Sequence, residues 1–127
     1  MFDADIGNSD QYRAFAAPND TSATLQARAR AYLDVNCSSC HQPEGPANTN
    51  LDLRELTSNT AMNAIETTPS NGDLGIVNAR IIATGSKERS VLWQRIRATD
   101  GNRMPPISTH LVDDDGVSLI GSWIDSL

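Results

Sequence analysis

The stretch Cys37-Ser38-Ser39-Cys40-His41 holds both cysteines of this 127-residue chain and one of its two histidines. Cysteines at i and i+3 lie on one face of a helical turn, so the two thiols point the same way. An imidazole follows directly at His41, and the small side chains of Ser38 and Ser39 leave room for a large body close to the backbone. Upstream, Leu25, Ala29, Leu33 and Cys37 recur every four residues with Tyr32 beside them, one face of an amphipathic helix that runs into the first cysteine. Arg28 and Arg30 fall off that face. Before it, Pro18-Asn19-Asp20-Thr21-Ser22 is a breaker cluster suited to capping a helix. Residues 1–22 read as a polar arm or linker and residues 23–127 as one domain.

Downstream of the motif the pattern weakens. Residues 42–60 contain Pro43, Gly45 and Pro46 and read as loop, with a short helical turn expected near Leu51–Leu56. A short helix is expected around Ala61–Ile65, ended by Pro69. Residues 71–86 are irregular, with Ile76-Val77 and Ile81-Ile82 as a short strand or a buried loop. Ser86 or Ser90 is placed to cap a helix through about Arg97, on which Leu92 and Ile96 lie one turn apart. Asp100-Gly101-Asn102 breaks the chain, and Met104-Pro105-Pro106 must be extended or turned. Asp113-Asp114-Asp115 supplies an N-cap and negative charge at the positive end of a helix dipole. Val117, Ile120, Ile124 and Leu127 follow on one face, with Trp123 beside them. No run alternates strongly enough for a sheet, so the expected class is all-α.

Composition narrows the functions. Ten basic against sixteen acidic residues leave a net charge of −6. Such a chain repels phosphate, which argues against nucleic-acid binding and against an anionic membrane surface. No apolar run is long enough for a membrane span. Met1-Phe2-Asp3-Ala4-Asp5 has no basic n-region and no apolar h-region, so an export signal would lie outside this chain. The aromatic count is low, two each of Phe, Trp and Tyr, and Phe2, Tyr12 and Phe15 fall in the polar N-terminal stretch. Aromatic side chains supply much of a small core, so this chain looks short of large core material.

Three chemistries use two cysteines at this spacing. A thiol–disulfide redox pair needs a βαβ context, which the chain lacks. A zinc site would have to draw on Cys37, Cys40, His41 and His110, with adjacent Cys40 and His41 poorly placed to chelate one tetrahedral ion. C-x-x-C-H is also the pentapeptide of covalent haem attachment. There, each thiol adds to one vinyl group and the imidazole becomes an axial ligand of the iron. For the sixth position the candidates are Met104, in a loop stiffened by two prolines, Met62, expected instead to pack in a helix, and His110.

With these residues in order, the chain from about Thr24 to Leu127 resembles a small class I, monohaem, c-type cytochrome domain. The stretch Ser86-Lys87-Glu88-Arg89-Ser90-Val91-Leu92-Trp93 leading to Arg103-Met104-Pro105-Pro106 is similar to cytochrome domains attached to larger secreted bacterial proteins. The resemblance implies a fold in which the N- and C-terminal helices cross, Leu33 and Ala29 meeting Ile120 and Trp123, with Gly121 allowing close approach. It implies one covalent haem c and its iron, held by Cys37 and Cys40 with His41 and Met104 as axial ligands. A loop carbonyl, for which Pro46 is the candidate, would accept the His41 Nδ1 proton. Arg54, Arg80 and Trp93 are candidates for the haem propionates.

The expected role is single-electron transfer by a carrier that is not itself an enzyme. It would act in the periplasm or at the cell surface, as a monomer exchanging electrons transiently with a redox protein or neighbouring domain. By analogy that partner is a polysaccharide-oxidising copper monooxygenase or a quinoprotein sugar dehydrogenase. The alternative is a haem peroxidase or gas-binding haem protein with an open sixth position, for which His110 is the available acid–base group.

Overall fold

Thr24, not the breaker cluster before it, caps the first helix in the computed structural model, which describes residues 15–106 and 112–127. Its hydroxyl accepts the Ala27 N–H at 3.0 Å at the start of α1, Leu25–Cys37. Ala29 and Leu33 are fully buried and Leu25 and Cys37 pack partly against the same core, as the four-residue spacing requires. The short 3-10 turn Lys87–Arg89 follows Ser86, and α2, Val91–Arg97, begins after Ser90. Both serines thus stand at helix starts, but they differ. Ser86 accepts from Arg89, whereas the buried Ser90 hydroxyl accepts the Ala83 N–H at 2.8 Å and donates to the Ser86 carbonyl at 2.9 Å. α3 spans Asp114–Ser126, and the Asp113 carboxylate accepts the Gly116 N–H at 3.1 Å as its cap.

The described residues form no strand, only two isolated parallel bridges, Ile65 with Ile82 and Arg80 with Ser90, so the class is all-α. The short helix expected at Ala61–Ile65 is absent. Asn63 and Glu66 adopt positive φ, which breaks a helix, and the backbone there bonds across to another segment, Ile82 N–H to Ala64 O and Glu66 N–H to Ile82 O. The Leu51–Leu56 segment is likewise loop and turn. Ile81-Ile82 is a loop whose Ile82 is buried, while Val77 is 79% exposed.

The core joins α1 and α3 through Ala29, Leu33, Leu119, Ile120, Trp123 and Ile124, and extends to Leu53, Met62, Ala64 and Ile82 from the loops. Each large aliphatic buried there contributes about 1.5–3 kcal/mol. Trp123 is the one aromatic side chain among the described residues that is fully buried. The α3 stripe differs at its edges from the expected one, because Leu127 at the chain end is 37% exposed and Leu119 is buried in its place.

Two hydrogen bonds pin the helix pair. Trp123 Nε1 donates to Gln26 Oε1 at 2.6 Å, and the Tyr32 hydroxyl donates to Asp113 Oδ2 at 3.0 Å. The partners occur in opposite order along the two helices, so α1 and α3 run in opposite senses. The glycine at this contact is Gly116, not Gly121, since a Cβ on Gly116 would strike the Tyr32 ring. Gly121 instead faces α2 and the 3-10 turn, where a Cβ would lie 2.8 Å from Trp93 Nε1 and 2.9 Å from Lys87 Cδ.

Arg30 lies where the spacing places it, yet it is buried. It lies off the apolar face but is only 4% exposed, because the 54–59 loop folds over it. Its guanidinium donates to Asn59 Oδ1 at 2.6 Å and to the carbonyls of Arg54 and Thr57. The helix–loop contact is thereby polar.

Candidate functional site

The cysteine motif continues the last turn of α1. Cys40 and His41 both donate their N–H to the Cys37 carbonyl, at 3.2 and 2.9 Å, and Ser38 N–H bonds to Asp34 O. The chain then turns sharply. Glu44 has φ 64°, Gly45 N–H donates to Gln42 O at 2.9 Å, and Ala47 N–H returns to Cys40 O at 3.3 Å. A Cβ at position 45 would stand 2.5 Å from Cys40 O and 3.0 Å from Gln42 O, so glycine is required for this close approach. His41 O accepts the Leu53 N–H at 2.8 Å, tying the motif to the 51–53 loop.

These residues form one side of a cleft of about 960 Å³. Cys37, Cys40 and His41 line it from α1 and its extension, and Met104, Pro105 and Pro106 line it from the far end of the chain. Leu51, Leu53, Ile81, Leu92 and Ile96 make its walls largely apolar. The volume is at the upper end of the range of about 300–1,000 Å³ for small-molecule sites.

The donors differ in setting. Cys37 is half-buried and Cys40 exposed, and neither is in a disulfide. Burial, and then the neighbouring Cys40, push the Cys37 thiol up to about 11, the opposite of the thiolate-stabilising environment of a reactive redox pair. Burial lowers the His41 pKa, which favours the neutral imidazole with a free lone pair. His41 Nδ1 lies 3.1 Å from Thr49 Oγ1. With Nδ1–H donating there, Nε2 is the nitrogen left to ligate. Met104 is half-buried, and its N–H donates to the Arg95 carbonyl at 3.0 Å. Among the described residues no three His, Cys, Asp or Glu side chains converge as a metal cluster.

Four of the expected site residues, Cys37, Cys40, His41 and Met104, thus share one cleft. The others do not line it. Pro46 is exposed, and the group that meets His41 Nδ1 is the Thr49 hydroxyl, which follows the turn at Gly45. Arg54 is held by Asp52 through Nε and Nη2, at 2.9 and 2.7 Å. Arg80 turns to Ala79 O and Glu66, and Trp93 Nε1 donates to Val117 O at 3.0 Å, locking α2 to α3. Met62 is fully buried in the core and packs there, from a turn rather than a helix. His110 lies outside the described residues.

Two residues of the site were not anticipated. Thr49 carries no local sequence signal. Arg95 is a cleft-lining cation, and its place in the last turn of α2, just before the Met104 loop, is the kind of position from which basic side chains reach orphan carbonyls.

The donor set fits a haem. Two thiols three residues apart face the cleft beside a neutral imidazole, and a thioether lines the same cleft within apolar walls. No family model, curated protein or solved structure matches the chain in comparisons with known proteins, so the functional reading rests on these residues and their geometry.

Proposed function

We propose that this chain is a class I c-type cytochrome domain that transfers single electrons through one covalent haem c, whose iron His41 and Met104 would ligate. The observation that carries the reading is the convergence of Cys37, Cys40, His41 and Met104 on one apolar cleft, from positions far apart in sequence. When bound, the haem supplies a one-electron ferrous/ferric couple. Cys37 and Cys40 would hold it covalently through their sulfurs at the end of α1. His41 would ligate the iron through Nε2, with Thr49 setting the ring's tautomer and orientation. Met104 offers a soft thioether that favours the reduced iron and raises the potential. Leu51, Leu53, Ile81 and Ile96 exclude water and lower the local dielectric.

Covalent attachment of this kind belongs outside the bacterial cytoplasm, so the domain works in the periplasm or at the cell surface. It exchanges electrons with a redox enzyme or a neighbouring domain, by analogy a polysaccharide-oxidising copper monooxygenase or a quinoprotein sugar dehydrogenase. No helix among the described residues is long and apolar enough to cross a membrane.

The test is spectroscopic. The purified protein should give a c-type pyridine haemochrome, and its ferric form a weak charge-transfer band in the far red. Met104→Ala should abolish that band while leaving the haemochrome unchanged. A missing c-type haemochrome refutes the haem; a band that survives Met104→Ala refutes the ligand. Rapid CO binding by the reduced protein would indicate the open sixth position of a peroxidase or gas-binding protein instead.

A further inference from the structure

We propose that Arg95 is a positioning residue that clamps the Met104 loop onto the cleft and thereby sets how firmly the methionine holds its ligand position, an inference that rests on the haem reading above. Three hydrogen bonds from this one residue carry it. The Arg95 carbonyl accepts the Met104 N–H at 3.0 Å, Nη1 donates to Asn102 O at 3.1 Å, and Nη2 donates to Asn71 O at 2.9 Å. The first two tie the end of α2 to the Met104 loop. The third reaches a separate segment, since Asn71 and Gly72 line the cleft wall. One guanidinium therefore joins the Met104 loop to a cleft-wall segment remote from it in sequence.

Three further bonds of the Met104 loop are local. Asn102 N–H bonds to Asp100 Oδ1, Arg103 N–H to Asp100 O, and the Arg103 guanidinium to Ala98 O. They shape the loop without seating it against the 71–72 segment. Both acceptors of the Arg95 fork are main-chain carbonyls, so their position and not their side-chain identity matters. A planar guanidinium with donors on separate nitrogens spans two such acceptors, whereas a lysine ammonium is a point donor on a flexible stem. Protein thioethers are weak iron ligands, so a loop that loses its seat yields the position to a competing ligand.

The experiment is an imidazole titration of the oxidised protein. In Arg95→Gln the imidazole dissociation constant should fall at least about tenfold, the effect of losing even one hydrogen bond from a charged donor at the low end of its range. Arg95→Lys should lie between this and the parent. Arg97→Gln is the charge-matched control and should stay within twofold, because Arg97 sits over the Trp93 ring at 4.6 Å and bonds to Gln94. A dissociation constant for Arg95→Gln within twofold of the parent overturns the clamp. Should Arg95→Gln not mature, Arg95→Lys decides alone by the same twofold criterion. A role confined to pairing with a haem propionate would move the reduction potential and leave imidazole affinity unchanged, which also overturns the clamp. The parent protein separates the two layers of the argument. A missing c-type haemochrome there defeats the haem reading and the clamp with it; a normal haemochrome with unchanged imidazole affinity defeats the clamp alone.

Discussion

Gly45→Ala places one added methyl where the turn after the cysteine motif has no space. The new Cβ would stand 2.5 Å from Cys40 O, 3.0 Å from Gln42 O and 3.1 Å from Cys40 C. All three atoms are main chain, and Cys40 O already accepts the Ala47 N–H. No flexible side chain can yield, so the backbone of Cys40 or of the turn must move by several tenths of an ångström. Overpacking of this kind costs typically about 1–3 kcal/mol, and the upper half of that range applies because only backbone can give way. For a domain of this size about 2.5 kcal/mol lowers Tm by roughly 10 °C. The matched control is Gly101→Ala. A Cβ there meets nothing within 4 Å and the residue is not in the left-handed region, so this change should be neutral or stabilising by up to about 1 kcal/mol through the unfolded chain. Urea and thermal unfolding of the two variants and the parent measure both effects. A Gly45→Ala protein within about 0.5 kcal/mol of the parent, or a Gly101→Ala protein equally destabilised, would refute the steric argument.

Removing the buried guanidinium with Arg30→Ala leaves the Thr57 carbonyl without its donor, takes one of two donors from the Arg54 carbonyl and from Asn59 Oδ1, and should cost about 2–3 kcal/mol in urea unfolding; a loss under about 1 kcal/mol would show that the 54–59 loop packs without it. Asp52 gives a pH signature. Side-chain hydrogen bonds from Arg54, first among the causes, hold its carboxyl down to about 2. Its stabilisation is therefore complete above the ordinary carboxylate pKa of about 3.9 and is lost as pH falls through about 2. The Arg54 side chain is 47% exposed, and solvent screening limits the effect to about 1 kcal/mol. The stability gap between parent and Asp52→Asn should accordingly narrow between about pH 4 and pH 2, and a gap that stays constant contradicts the linkage. The double variant Cys37→Ala/Cys40→Ala, prepared without haem, should lose most of its helical circular dichroism, since side chains leave a cleft of about 960 Å³ to be filled; cooperative unfolding with native-like helicity would be the opposite result.

The two long helices were legible because their information is local. The Leu25-Ala29-Leu33 spacing and the Asp113 cap act within a few residues, and both appear in the structure as read. The expected helix at Ala61–Ile65 fails for the opposite reason. Long-range backbone bonds between Ala64 and Ile82 and between Glu66 and Ile82 compete with local propensity and win. The same distinction separates the residues of the site. Cys37, Cys40 and His41 sit on one helical turn and Met104 beside two prolines, patterns visible in the chain itself.

Which atom meets the His41 imidazole, and which cation seats the Met104 loop, depend on where separate loops come to rest. Thr49 reaches Nδ1 after the chain turns back at Gly45, and Arg95 spans Asn102 and Asn71 from the last turn of α2, which itself lines the cleft. Arg54, Arg80 and Trp93 had the right chemistry for the cleft, but nearer partners took their donors: Asp52, the Ala79 carbonyl and the Val117 carbonyl. By itself the sequence determined the donor set and the helices that present it, because those follow from spacing along the chain. Only the tertiary structure decided which groups hold the donors in place, because a hydrogen bond goes to whichever carbonyl or hydroxyl the fold brings within about 3 Å.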